Sequence, residues 1–201
     1  MNSELKVTEG GRKGALRTLS MGQQTAYIFR DEHPENPREA FDGFGTMACF
    51  HRRYALGDKG HGFKAEDYRG WEEMEQAILR QNPGALILPL YLYDHSGITM
   101  RTVPFSCPWD SGQVGFIFAT REKVLRTWGA KRMTERIRNL ALEALRSEVE
   151  EYDAYLTGDV YGYIVEDQDG EELDSCWGFI GLQVAEDSAA SSLRFQHQVA
   201  A

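Results

Sequence analysis

Residues 85–120 read ALILPLYLYDHSGITMRTVPFSCPWDSGQVGFIFAT, and the way this stretch folds decides the architecture. Three apolar runs, ALILPLYLYDH, ITMRTV and VGFIFAT, are parted by two clusters of turn residues, Ser96-Gly97 and Pro108 to Gly112. Short runs rich in aliphatic and aromatic side chains, bounded by Gly, Pro, Ser and Asp, predict strands joined by turns. Pro89 inside the first run then requires a bulge or an unpaired edge, because it cannot donate to a sheet ladder. In FSCPWDSGQVGF, Pro108 and Gly112 are expected to shape a corner whose Phe105, Trp109 and Phe116 anchor it to the core.

Outward from this stretch the same pattern recurs. QTAYIFRDE (24–32) and GTMACFHRRY (45–54) alternate as strands, and HPENPRE between them reads as a surface loop broken by Pro34 and Pro37. WEEMEQAILRQN (71–82) repeats at helical spacing, with acids early and Arg80 late, before Asn82-Pro83-Gly84 stops it. The longest regular pattern is 133–158, where Ile137, Leu140, Ala141, Ala144, Leu145, Val149, Tyr152 and Leu156 mark an amphipathic helix of about six turns. Its basic residues lie at the N-terminal end and Glu148, Glu150, Glu151 and Asp153 at the C-terminal end, against the helix dipole. Neighbouring groups are expected to pair with these charges, or the ends to serve as contact surfaces. DVYGYIVEDQDGEELDSCWGFIG (159–181) predicts a hairpin turning at Asp169-Gly170. These elements predict an α+β fold, a mostly antiparallel sheet covered by one long helix in the C-terminal half and one shorter helix. The expected organisation is a flexible arm over 1–24, a single domain over 25–181 and a disordered tail over 182–201, since both ends lack a sustained period.

The 201 residues are 42% hydrophobic, which excludes a wholly disordered chain. No apolar run reaches membrane-spanning length and the N-terminus lacks the apolar segment of a signal peptide, so a cytoplasmic protein is expected. Cys49, Cys107 and Cys176 are odd in number and widely spaced, as free thiols in a reducing compartment are. The net charge of −9 disfavours nucleic acid as a partner and favours basic surfaces. It is unevenly spread: Arg121 to Arg138 holds seven bases against two acids, and Glu143 to Asp174 twelve acids against Arg146.

Four constellations deserve weighing as chemistry. Cys107 with His95 and Asp94 or Asp110 has the residue types of a thiol site, but a nucleophilic cysteine needs a nearby imidazolium or helix N-terminus, and Pro108 puts Cys107 in a turn. A small buried Cys in a tight turn is the plainer account. Cys49, His51, Asp58 and His61 are suitable zinc ligands, though their spacing matches no strong metal motif and a satisfied core Cys and His would read the same. GDKGHG is glycine-rich but lacks the phosphate-cradling GxxxxGK[ST] and GxGxxG patterns, so neither a nucleotide site nor a cofactor is expected. Finally, the acidic block could present Glu148, Glu150, Glu151, Asp153, Glu166, Asp167, Glu171 and Glu172 to a basic groove on another protein, where charge runs are ordinarily just solvated faces.

DGFGTMACFHRRYALGD, LPLYLYDHSGITMRTVPFSCPWDSGQVGFI and YLTGDVYGYIVEDQDGEELDSCWGFIG resemble a protein family carried by bacterial phages, plasmids and integrated mobile elements, over about residues 25–181. No reaction comes with that family, so the resemblance implies a context and transfers no catalytic residue. With the acidic block, the context implies a counter-defence protein that inhibits a CRISPR or restriction complex by occupying its basic nucleic-acid-binding surface. The alternatives are a metal- or thiol-dependent hydrolase, and an accessory protein of phage replication or packaging that binds nucleic acid through Arg121 to Arg138.

Overall fold

The computed structural model describes residues 4–199. In chain order it opens with β1 (Lys6–Glu9), β2 (Arg17–Met21) and β3 (Gln24–Arg30). There follow α1 (Pro37–Ala40), β4 (Thr46–Cys49), α2 (Trp71–Gln81), β5 (Leu86–Asp94), β6 (Ile98–Arg101), β7 (Ser111–Ala119), α3 (Arg121–Thr127) and α4 (Glu135–Thr157). The chain closes with β8 (Val160–Glu166), β9 (Glu172–Ile180) and α5 (Leu182–Val199). It is an α+β fold with two antiparallel sheets, and it divides into two compact units, 36–157 and the paired segments 4–35 and 158–199.

The central unit is built on the stretch that decides the fold. β5 pairs with both β6 and β7, and β4 joins the far edge of β7, giving the order β4-β7-β5-β6. β6 pairs only with Tyr91–Asp94, so Pro89 sits where β5 has an open edge, and the register shifts just beyond it between Leu90 and Tyr91. Both faces of β7 are covered. Met74 and Ile78 of α2 pack with Ala48, Phe116 and Phe118 on one side, and Ala141, Leu145, Val149 and Tyr152 of α4 pack with Met47, Leu90, Leu92 and Ile117 on the other. The apolar stripe read from 133–158 is thus the face that α4 buries. Thr120 caps α3, its Oγ1 accepting from the Lys123 N–H at 3.2 Å.

The second unit is a five-stranded sheet, β1-β2-β3-β8-β9, with α5 packed on it. Here the structure departs from the expected organisation. Residues 6–9 and 17–21 of the expected arm are strands, with Leu19 and Met21 in the core, while residues 1–3 lie outside the described part. Residues 182–199 of the expected tail form α5, which buries Ala185, Ala189, Ala190 and Leu193 against Leu19, Ala26, Ile28 and Val165, and residues 200–201 lie outside the described part. The corner at 105–116 also differs in one respect. Phe116 is buried and Phe105 stacks on Tyr93 at 5.5 Å, but Trp109 is 91% exposed and anchors nothing. Gly112 belongs to β7 rather than to the turn.

Candidate functional site

The central unit is held by a buried guanidinium. Asn36 caps α1 by accepting from the Arg38 N–H at 3.0 Å, and Pro37 opens the helix, which turns the Arg38 side chain inward. Its Nε and Nη2 donate to the two carboxylate oxygens of Asp58 at 2.7 and 2.8 Å, Nη1 donates to Glu148 at 2.7 Å, and Nη2 also donates to the Gly45 carbonyl at 2.8 Å. Burial works against this charge, but the bonds to the two carboxylates outweigh it and hold the pKa above the ordinary arginine value. Asp58 further accepts from the Met47 N–H at 2.8 Å, and Glu148 accepts from the N–H groups of Phe44 and Gly45.

This cluster fixes the loop after β4. Gly57 bridges back to Ala48 with φ +70°, and a Cβ there would meet the Met47 carbonyl at 2.5 Å, so glycine is required. Its N–H donates to the Tyr152 hydroxyl at 3.1 Å. Beyond these anchors the loop walls a cavity of about 630 Å³ lined by Cys49, Phe50, His51, Arg52, Leu56 and His61, among others.

Three of the four residues weighed as metal ligands, Cys49, His51 and His61, therefore do share one space, but Asp58 faces away from it into the Arg38 cluster. Burial pushes the Cys49 thiol up to about 12, the Asp58 charge adding to the effect, so it stays protonated at neutral pH. Burial also lowers the His61 pKa. Among the described residues no three His, Cys, Asp or Glu side chains are grouped to hold a metal ion.

His95, Cys107 and Asp110 are brought together, in an order that does not suit thiol catalysis. Asp110 Oδ2 lies 3.8 Å from the Cys107 sulfur and 3.3 Å from His95 Nδ1, so the carboxylate sits between thiol and imidazole. A catalytic base would have to be the thiol's own partner. Asp94 is engaged elsewhere, with Arg53.

The acidic block is split between the units. Glu148 and Asp153 are structural: Asp153 accepts from the Thr99 hydroxyl at 2.7 Å and the Met100 N–H at 2.6 Å. These bonds, with the Glu148–Arg38 pair, answer the unfavourable charge order of α4. Glu150 is exposed and Glu151 half-buried on the same helix. In the other unit, Glu166 pairs with Arg12, and Asp167 holds the β8–β9 turn by accepting from the N–H groups of Asp169 and Glu171, both at 2.9 Å. Asp169, Glu171 and Glu172 are exposed. On the same hairpin Trp177 is 46% exposed and lies across Gly162, stacked on Phe29 at 6.3 Å. Of the basic stretch, Lys123 is tied to the Gly43 carbonyl at 2.5 Å, while Lys131, Arg132, Arg136 and Arg138 are exposed.

Arg38 was invisible among the candidates, because HPENPRE reads as a broken loop; the Asn36-Pro37 pair, a cap followed by a first-turn proline, was the signal for a helix start. No protein-family model, curated protein or solved structure matches the chain.

Proposed function

We infer that the protein acts by binding, and that its acidic unit occupies a basic nucleic-acid-binding surface on a bacterial defence protein of the CRISPR or restriction kind. One observation carries this reading. The unit formed by 4–35 and 158–199 holds fourteen acids against six Lys and Arg, a net −8, whereas 36–157 holds seventeen against sixteen, a net −1. Nearly all of the chain's net charge is thus concentrated in one small unit. Such a field draws a basic partner and selects against acidic ones. Asp169, Glu171 and Glu172 are exposed at the turn of the hairpin whose second strand carries the half-exposed Trp177. The defence target follows from the resemblance to proteins of mobile elements, and the basic character of its surface from the charge.

The contact set is narrower than the acidic block. Removing Glu148 would take one of two carboxylates from a buried guanidinium, at about 1.5–3 kcal/mol, so charge reversal there would report on folding. The informative variant is Asp169→Lys/Glu171→Lys/Glu172→Lys. In bacteria carrying an active restriction or CRISPR system, the wild-type protein is expected to raise the plating efficiency of a targeted phage. The triple variant should lose that protection while its thermal unfolding is unchanged. Equal protection by the variant would sink the reading.

A further inference from the structure

The cavity of the central unit is equipped with donors. His51 Nδ1 accepts from the Arg53 N–H at 3.3 Å, and His61 Nδ1 accepts from the Phe63 N–H at 3.2 Å. A ring nitrogen that accepts carries no proton, so each neutral imidazole bears its hydrogen on Nε2. Two rings, each held in the same tautomer by the backbone two residues on, thus carry an Nε2–H donor apiece among the residues that line one cavity. This state also withholds the Nε2 lone pair that a metal would need.

Arg52 and Lys64 add two cations to the lining, both exposed. Lys59 at the rim is neutralised by Glu39 at 2.7 Å. Asn36 and the exposed carboxylate of Glu66 also line the cavity, and the aromatic part of the wall is already packed: Phe50 meets His61 edge-on at 5.2 Å, and Tyr54 stacks on His51 at 4.9 Å, which steadies both rings. Convergent donors of mixed charge suit a phosphate, whose oxygens only accept. A bare phosphate would leave most of about 630 Å³ empty, a volume within the ~300–1,000 Å³ of sites for small organic ligands.

We propose that this cavity binds an aromatic organic phosphate of mononucleotide size, its phosphate held by His51, His61, Arg52 and Lys64 and its ring against Phe50 and Leu56. The site lies wholly within the unit of net charge −1 and does not depend on the acidic hairpin.

Calorimetric titration of the full chain with AMP, GMP, CMP and UMP, and separately with inorganic phosphate and adenosine, tests it. At least one nucleotide is expected to bind at least tenfold more tightly than either phosphate or its nucleoside part. Arg52→Ala, at an exposed position, should weaken that binding severalfold, and His51→Ala/His61→Ala at least tenfold. Because the histidine variant also removes two rings that the loop packs against, the Cε1–H resonances of both imidazoles are followed in the wild-type protein, where they should shift on addition of the nucleotide. Asp169→Lys/Glu171→Lys/Glu172→Lys should bind the nucleotide as wild type does. No heat from any of the four nucleotides at millimolar concentration, equal binding of nucleoside or of inorganic phosphate, or unmoved imidazole resonances would each overturn the proposal.

Discussion

Cys49 shows how a residue's chemistry is settled by what surrounds it. Its letter suggests a metal ligand on a strand, and the strand is there, yet burial beside Asp58 lifts its pKa to about 12. The sign of the resulting pH dependence is definite. A thiol whose folded pKa exceeds its unfolded value of 9.0 contributes stability that is complete below about pH 9 and is lost as pH rises towards 12. Tyr152, whose pKa burial also raises, adds to the loss in the same direction. Two outcomes are expected. At pH 8 a disulfide reagent should titrate the exposed Cys176 of the native protein well before the half-buried Cys49, because the thiolate is the reactive form and the Cys49 pKa is lifted to about 12. Between pH 9 and 11 the urea midpoint should fall less steeply in Cys49→Ala than in wild type. Rapid native titration of all three thiols would contradict this placement. His51 and His61 show the converse case, where the letters drew notice but the roles rest on backbone N–H groups two residues away, which no spacing pattern reveals.

At the scale of elements, legibility follows the size of the apolar side chains. β5, β7, α2 and α4 bury Leu, Ile, Phe, Met and Tyr, whose periods stand out against polar neighbours, and the sequence reading of each is close to the structure. α5 carries its core face on Ala185, Ala189 and Ala190 with Leu193. Alanine is the strongest helix former but a weak hydrophobic signal, so the segment looked periodless although the helix is sound. β1 and β2 were hidden for another reason: the glycines of the turn between them, Gly10, Gly11 and Gly14, gave the whole stretch the composition of a loose arm. The two accounts of residues 182–199 make opposite predictions for one substitution. Leu193 is fully buried among Leu19, Ile28 and Val165, so Leu193→Ala should cost about 2–5 kcal/mol in denaturant unfolding. Phe195→Ala, on a side chain 62% exposed, should cost far less. Were the segment a disordered tail, neither would matter.

At the scale of the whole molecule, the two compact units differ in how their parts are spaced along the chain. The second unit is assembled from the two ends of the described chain: β3 pairs with β8 across more than 130 residues, in register from Thr25↔Glu166 to Arg30↔Tyr161. Sequence periodicity reports on each strand but not on its partner, so nothing local announced that residues 24–30 belong with the 160–180 hairpin rather than with the strand at 46–49. The central unit, by contrast, is one continuous segment. Its sheet takes all four strands from 46–119, its two apolar clusters contain only residues between 44 and 156, and the Arg38–Asp58–Glu148 cluster is complete within it. Every strand, core contact and buried charge it needs is therefore encoded between 36 and 157, a length at which a single core is ordinarily sufficient. Residues 36–157 expressed alone should accordingly fold, giving one cooperative urea transition, native-like protection of Cys49 from thiol reagents, and undiminished binding of the nucleotide that the full chain prefers. Loss of that binding with the fold retained would show that the cavity requires the other unit, and failure of the segment to fold would show that the −1 unit draws on the −8 unit for stability.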